Sequence, residues 1–225
     1  MCSIYMKVSF NPKYWLIILI CLSFVVICIV NRKPFLSNLF TSKDITDNIS
    51  VVTLESLNTK SGYQSCGDSI GSFNGVTASY NSGGINSCGD RNWSVDNTYS
   101  YGFRWQCVEF VRRYYYEALG HKMPNRWGNA CNYFRQDISS GSMNMERGLV
   151  QYHNGSVRPI VNDLLVFQDM AGGLGHVSIV IAVTDSTVST IAQNIGRECM
   201  SVLSLDGDQV RGGCSGLLRL PITLR

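Results

Sequence analysis

The chain has 225 residues, a formal net charge of +3, 45% hydrophobic and 16% charged residues, nine cysteines and three histidines. That length accommodates one modest domain and a short additional segment. The small charge carries no basic stripe or reading helix, which argues against nucleic-acid binding, and no Cys-x-x-Cys or His-x-x-x-His spacing marks a zinc site, so neither metal nor cofactor is expected.

Residues 1–13 read as an N-terminal tail. Residues 14–30, YWLIILICLSFVVICIV, carry no charge and reach the lower length limit for a helix crossing a bilayer. No small-residue cleavage pattern follows, so an uncleaved, single-pass membrane anchor is expected. Lys7 and Lys13 before it balance Arg32 and Lys33 after it, so charge does not set an orientation. Residues 31–62 read as a juxtamembrane linker, and residues 63–225 as the folded domain.

Within that domain, residues 63 to 102 are rich in Gly, Ser and Asn and suggest loops with short strands. From Trp105 to Leu119 the apolar positions Cys107, Phe110, Val111, Tyr114 and Ala118 recur at helical intervals, and Gly120 supplies a residue able to close the helix. Cys107 therefore falls in the first turn, where unpaired N–H groups and the helix dipole favour a thiolate and can hold an oxyanion. Strands are expected from Asp163 to Gln168, His176 to Val183, Ser186 to Ile191 and Gly216 to Thr223.

A thiol that attacks an amide needs a partner to take its proton and return it to the leaving amine. His176, following Gly175 at a strand start, is the best placed of the three histidines. His121 follows the helix-ending glycine and His153 sits in the turn-rich Tyr152-His-Asn-Gly155, so both read as surface residues. The imidazole also needs an orienting group. Asn194 or Gln193, at the end of the strand that closes on Ala192-Gln-Asn-Ile-Gly196, offers a neutral amide there, and Gln106 offers its side chain to an oxyanion hole. Trp105 and Trp127 read as core or cleft wall, Asp163 as a turn former, and the Met170–Gly175 loop as a cleft border.

The blocks WQCVEFVRRYYYEALG, RWGNACNYF, NDLLVF, GHVSIVIAV and IAQNIG occur in the order seen in the CHAP family, cysteine- and histidine-dependent amidohydrolases and peptidases related to the NlpC/P60 enzymes. The chain resembles that family over roughly residues 66 to 220. The resemblance implies an α+β, papain-like fold with N-terminal helices packed on a small antiparallel sheet. It also implies Cys107 as nucleophile, His176 as general base and acid, and Asn194 as the third position, with Gln193 there if the alignment shifts by one. Ala192 stands where the family usually has Glu. The implied substrate is a peptide, in particular a peptidoglycan peptide. The nucleophile block is also similar to the amidase domain of glutathionylspermidine synthetase/amidase, and a weakly catalytic wall- or ligand-binding module is a third reading.

Cys66 with Cys88, and Cys199 with Cys214, are suitable disulfide pairs in an oxidising compartment, which leaves Cys131 odd and favours an extracytoplasmic domain on a membrane anchor. The sequence assigns no oligomeric state.

Overall fold

A computed structural model describes residues 65–82, 88–125 and 127–221. Two hairpins open the described chain: β1 (Ser69–Phe73) with β2 (Val76–Ser79), and β3 (Arg91–Trp93) with β4 (Ser100–Phe103). Helix α1 (Cys107–Glu117) follows at once. A 3-10 turn at Ala130–Tyr133 leads to β5 (Ser142–Asn144), β6 (Leu149–His153) and β7 (Leu164–Phe167). A second turn at Ala171–Gly173 precedes β8 (His176–Val183), β9 (Thr187–Ile191), β10 (Met200–Asp206), β11 (Gln209–Val210) and β12 (Gly216–Arg219).

The last eight strands form one antiparallel sheet in the order β11-β10-β9-β8-β7-β12-β6-β5. This corrects the expected fold class. Among the described residues there is one α-helix against an eight-stranded sheet, not a set of helices on a small sheet. Four of these strands stand where periodicity places them. Of the additional strands, β5 and β11 are only three and two residues long, β10 carries polar residues on both faces, as in Met200-Ser-Val-Leu-Ser-Leu-Asp206, and β6 places Gln151 and His153 beside Leu149 on one face, so alternation does not announce them.

The single-pass membrane assignment is also corrected. Residues 14–30 lie outside the described residues, and among the described residues no helix is long and apolar enough to cross a bilayer.

Side chains alternate across the sheet and build a core on each face. Leu164, Val166, Val177, Ile179, Ile191 and Leu218 pack with Cys107, Phe110, Val111, Tyr114 and Tyr115 of α1. Leu165, Phe167, Val180, Val188, Leu205 and Leu217 form the second cluster. Each fully buried apolar side chain contributes about 1.5–3 kcal/mol, so the four fully buried ones from α1, Phe110, Val111, Tyr114 and Tyr115, fix the helix on the sheet far more firmly than intrinsic propensity would. After α1, Gly120 takes φ +64° and His121 N–H reaches back to Tyr115 O at 2.8 Å, which ends the helix.

A disulfide joins Cys66 and Cys88, with Cα atoms 5.6 Å apart. Cys199 and Cys214 are not bonded to each other. They belong to clusters on opposite faces of the sheet, where the Cys199 thiol donates to Ile70 O at 3.1 Å and the Cys214 thiol to Gly216 O at 3.4 Å. Asp163 does more than form a turn. Its buried carboxylate accepts from Ile160 N–H and takes a two-pronged contact from Arg219 at 2.8 and 2.7 Å, tying the end of β12 to the start of β7.

Candidate active site

Gln106 is the N-cap of α1 in extended conformation, and its carbonyl accepts from Glu109 N–H and Phe110 N–H, both at 3.1 Å. Cys107 is thus the first residue of the helix proper. Its side chain enters the helix–sheet cluster and is 7% exposed. His176 is the first residue of β8, paired with Phe167 of β7, and is 8% exposed.

The backbone before His176 is set by close approach. Gly175 has φ +78°, and a Cβ there would stand 2.4 Å from Cys131 N, so no side chain fits. Cys131 N–H in turn donates to Leu174 O at 3.0 Å. These contacts lock the turn before β8 onto the 3-10 turn Ala130–Tyr133.

Cys107, His176, Asn194 and Gln106 line one cleft of about 310 Å³. Gln193 is not among its lining residues. It is fully buried behind the helix start, where its Oε1 accepts from Ser79 N–H at 2.7 Å and from Arg113 at 3.2 Å. Its Nε2 donates to Glu109 at 2.8 Å and to Gln106 O at 3.3 Å. Gln193 is therefore a strut that ties the β9 end to the first turn of α1. Asn194, at φ +61°, follows it into the cleft, and its Nδ2 donates to Gln106 Oε1 at 2.9 Å. The two amides form a linked pair at the cleft wall. The His176 ring lies tilted against Phe167, 6.4 Å between ring centres.

Burial governs the electrostatics. It pushes the Cys107 thiol up, against N–H groups of Val177, Val108 and Cys107 itself and the charge of Arg112, all of which favour the anion. The Val177 N–H is notable, because it links the sulfur to the residue directly after His176. Burial also holds the His176 imidazole down to about 4. At neutral pH the pair is therefore thiol and neutral imidazole.

Several cleft residues carried no signal in the sequence. Arg112 lies five positions beyond Cys107 and is 2% exposed. Its Nη1 donates to Tyr101 O at 3.3 Å, while Nε and Nη2 have no hydrogen-bond partner among the described residues. Arg91 and Phe103, from the β3–β4 hairpin, and Asn129 and Asn132, from the loop after α1, complete the wall. Trp127 proves to be cleft wall at 62% exposure. His121 and His153 do not lie free on the surface. Both are half-buried, and their Nε2 atoms hydrogen-bond Arg147 O at 2.8 Å and Ile138 O at 3.0 Å. No group of three His, Cys, Asp or Glu side chains among the described residues is arranged to hold a metal ion.

The helix carrying Cys107, the strand carrying His176 and the loop carrying Asn194 all fall within one matched stretch. Residues 97–194 match the family model of the CHAP domain. CHAP domains are hydrolases of amide bonds, amidases and peptidases. The matched stretch begins within the β3–β4 hairpin and closes on Asn194, so it spans every described cleft residue except Arg91. The chain is also similar to trypanothione synthetase of Crithidia fasciculata, at 30% identity over 105 residues, which is 45% of this chain and 16% of that protein. The chain thus spans about a sixth of that relative's length.

Proposed function

We propose that the protein is a cysteine amidase or endopeptidase in which Cys107 attacks the amide carbonyl and His176 carries the proton. The observation that supports this reading is that a helix-start thiol and a strand-start imidazole open on the same cleft, with the N–H groups of Val177, Val108 and Cys107 directed at the sulfur. Because both groups rest neutral, the thiol proton passes to the imidazole as the sulfur bonds to the carbonyl carbon. Negative charge then moves to the carbonyl oxygen, where N–H donors of the helix start and the side chain of Gln106 stabilise it. Collapse expels the amine, which takes the proton back from the imidazolium, and water drawn to His176 hydrolyses the thioester. Asn194 acts on geometry in this scheme, holding Gln106 at the cleft wall.

The substrate reading is a peptidoglycan peptide, in line with the sequence resemblance to the wall-acting CHAP enzymes. The likeness to trypanothione synthetase favours a second reading, an amidase acting on a glutathionylspermidine-type conjugate. Incubation with purified cell-wall peptides and, separately, with glutathionylspermidine, followed by mass spectrometry of the new ends, distinguishes them. Release of new amino and carboxyl ends from wall peptides supports the first. Release of spermidine alone replaces it with the second, and no cleavage of either by a protein whose Cys107 alkylates normally rejects both.

A further inference from the structure

The charges around the cleft all have one sign. Among the described residues that line it the ionised side chains are Arg91 and Arg112, and none of those residues is an aspartate or a glutamate. The nearest buried carboxylate of the helix, Glu109, is already engaged by Arg113 at 2.6 Å and Asn92 at 2.9 Å. A low-dielectric cleft with two cations and no anion has a positive potential that favours negative substrates.

Arg112 is sunk at the cleft wall, whereas Arg91 is half-buried at its rim and held by aromatic rings. Arg91 pairs across the hairpin with Phe103, and its guanidinium carbon lies 4.3 Å from the Phe103 ring centre and 4.6 Å from the Trp127 ring centre. Two cation–π contacts limit the rotamers of an otherwise flexible side chain. None of the ion pairs among the described residues uses Arg91. A guanidinium restrained in this way presents its N–H edge in a fixed direction, and the planar group that matches that edge is a carboxylate. Phe103 and Trp127 are 36% and 62% exposed, so they also give an apolar surface for the adjoining chain of a bound peptide.

We propose that Arg91, braced by Phe103 and Trp127 at the rim of the cleft, receives a carboxylate of the substrate, so that the amides this site takes are those of acidic peptides. The proposal rests on the amide-hydrolase reading for its chemistry but not for its binding.

The test uses tetrapeptides that carry Glu or its neutral isostere Gln at each position in turn, each with a free or an amidated C-terminus. Cleavage by the full chain is read by mass spectrometry, and binding by calorimetry with the Cys107→Ala protein. Wild-type protein is expected to favour Glu over Gln by about tenfold or more in kcat/KM at one fixed distance from the cleaved bond. Arg91→Gln should bring that ratio close to one, Arg91→Lys should retain part of it, and added salt should shrink it because the rim is open to solvent. A preference that follows the free C-terminus also supports the site and assigns the carboxylate to the peptide end. A ratio of one in the wild type, or a preference that survives Arg91→Gln, overturns the proposal. Failure of the hydrolase reading looks different: acidic peptides then bind Cys107→Ala more tightly than neutral ones while the wild type cleaves neither. Neither binding nor cleavage across the whole set overturns the anion site as well.

Discussion

Arg112 and Arg113 are neighbours in the chain and both are buried, yet the two sides of α1 treat them oppositely. On the inner side Arg113 meets Glu109 at 2.6 Å, and Gln193, Asn92 and Ser79 complete a network that joins the helix start to β2, β3 and the end of β9. On the cleft side Arg112 has one backbone acceptor and two nitrogens without one, beside a thiol and an imidazole that are both deprived of solvent. An unpaired buried polar group costs about 1–3 kcal/mol or more. Of these two arginines, the one that keeps unmet polar capacity is the one that lines the cleft.

The contrast is broken or sharpened by substitution on each side. The largest effect is expected from Cys107→Ala, which should lower amide hydrolysis by about 10⁴-fold or more with unchanged circular dichroism. Turnover within tenfold of wild type would remove the nucleophile from the cleft side. His176→Ala should follow closely, and Asn194→Ala should lose less than either, because it holds Gln106 and carries no proton. Equal losses for Asn194→Ala and His176→Ala would assign Asn194 a proton-linked role.

On the paired side, Glu109→Ala strands the Arg113 charge in the core and should destabilise the fold by about 3–5 kcal/mol in urea unfolding. A loss below about 1 kcal/mol would mean that the network is decorative.

His176 supplies an acid sensitivity. Its folded pKa, about 4, lies below the ordinary value of 6.5, so the unfolded chain binds the proton more readily between these values. Stability present above pH 6.5 should therefore fall by about 3 kcal/mol in total as pH drops through about 4. A His176→Gln protein should lack that component, and an identical pH profile in both proteins would show that the imidazole is not desolvated. The same neutral pair predicts slow alkylation of Cys107 by iodoacetamide at pH 7, rising toward alkaline pH as the thiolate forms.

The smallest effect separates the two arginines most directly. Arg112→Met removes a charge with unmet hydrogen bonds and should be neutral or raise stability by about 1 kcal/mol, whereas Arg113→Met should destabilise by several. Equal destabilisation in urea titrations would put both residues in the structural class.

Cys107 and His176 were legible because each sits at the first residue of an element with a clear period: the three-and-four spacing of α1, and the alternation of Val177-Ser-Ile-Val-Ile in β8. Gln193 and Asn194 were legible as a pair but not in their division of labour, since one residue of offset decides which amide enters the core and which the cleft. Arg91 and Phe103 left no mark, because strands of three and four residues carry little periodicity, whereas Trp127 was legible as core or cleft wall but not as a brace for Arg91. The Cys199–Cys214 pairing failed for a related reason. Spacing along the chain does not say on which face of a sheet a cysteine stands.

The order of blocks along the chain, the position of the thiol in a first helical turn and that of the imidazole at a strand start are local properties, set by side-chain period and turn residues, and the sequence by itself determined them. The eight-stranded breadth of the sheet, the sign of the cleft and the separation of Arg113 from Arg112 came only from the tertiary structure. They depend on which residues from distant segments share a low-dielectric space, and only the packing of α1 between hairpin, loop and sheet decides that.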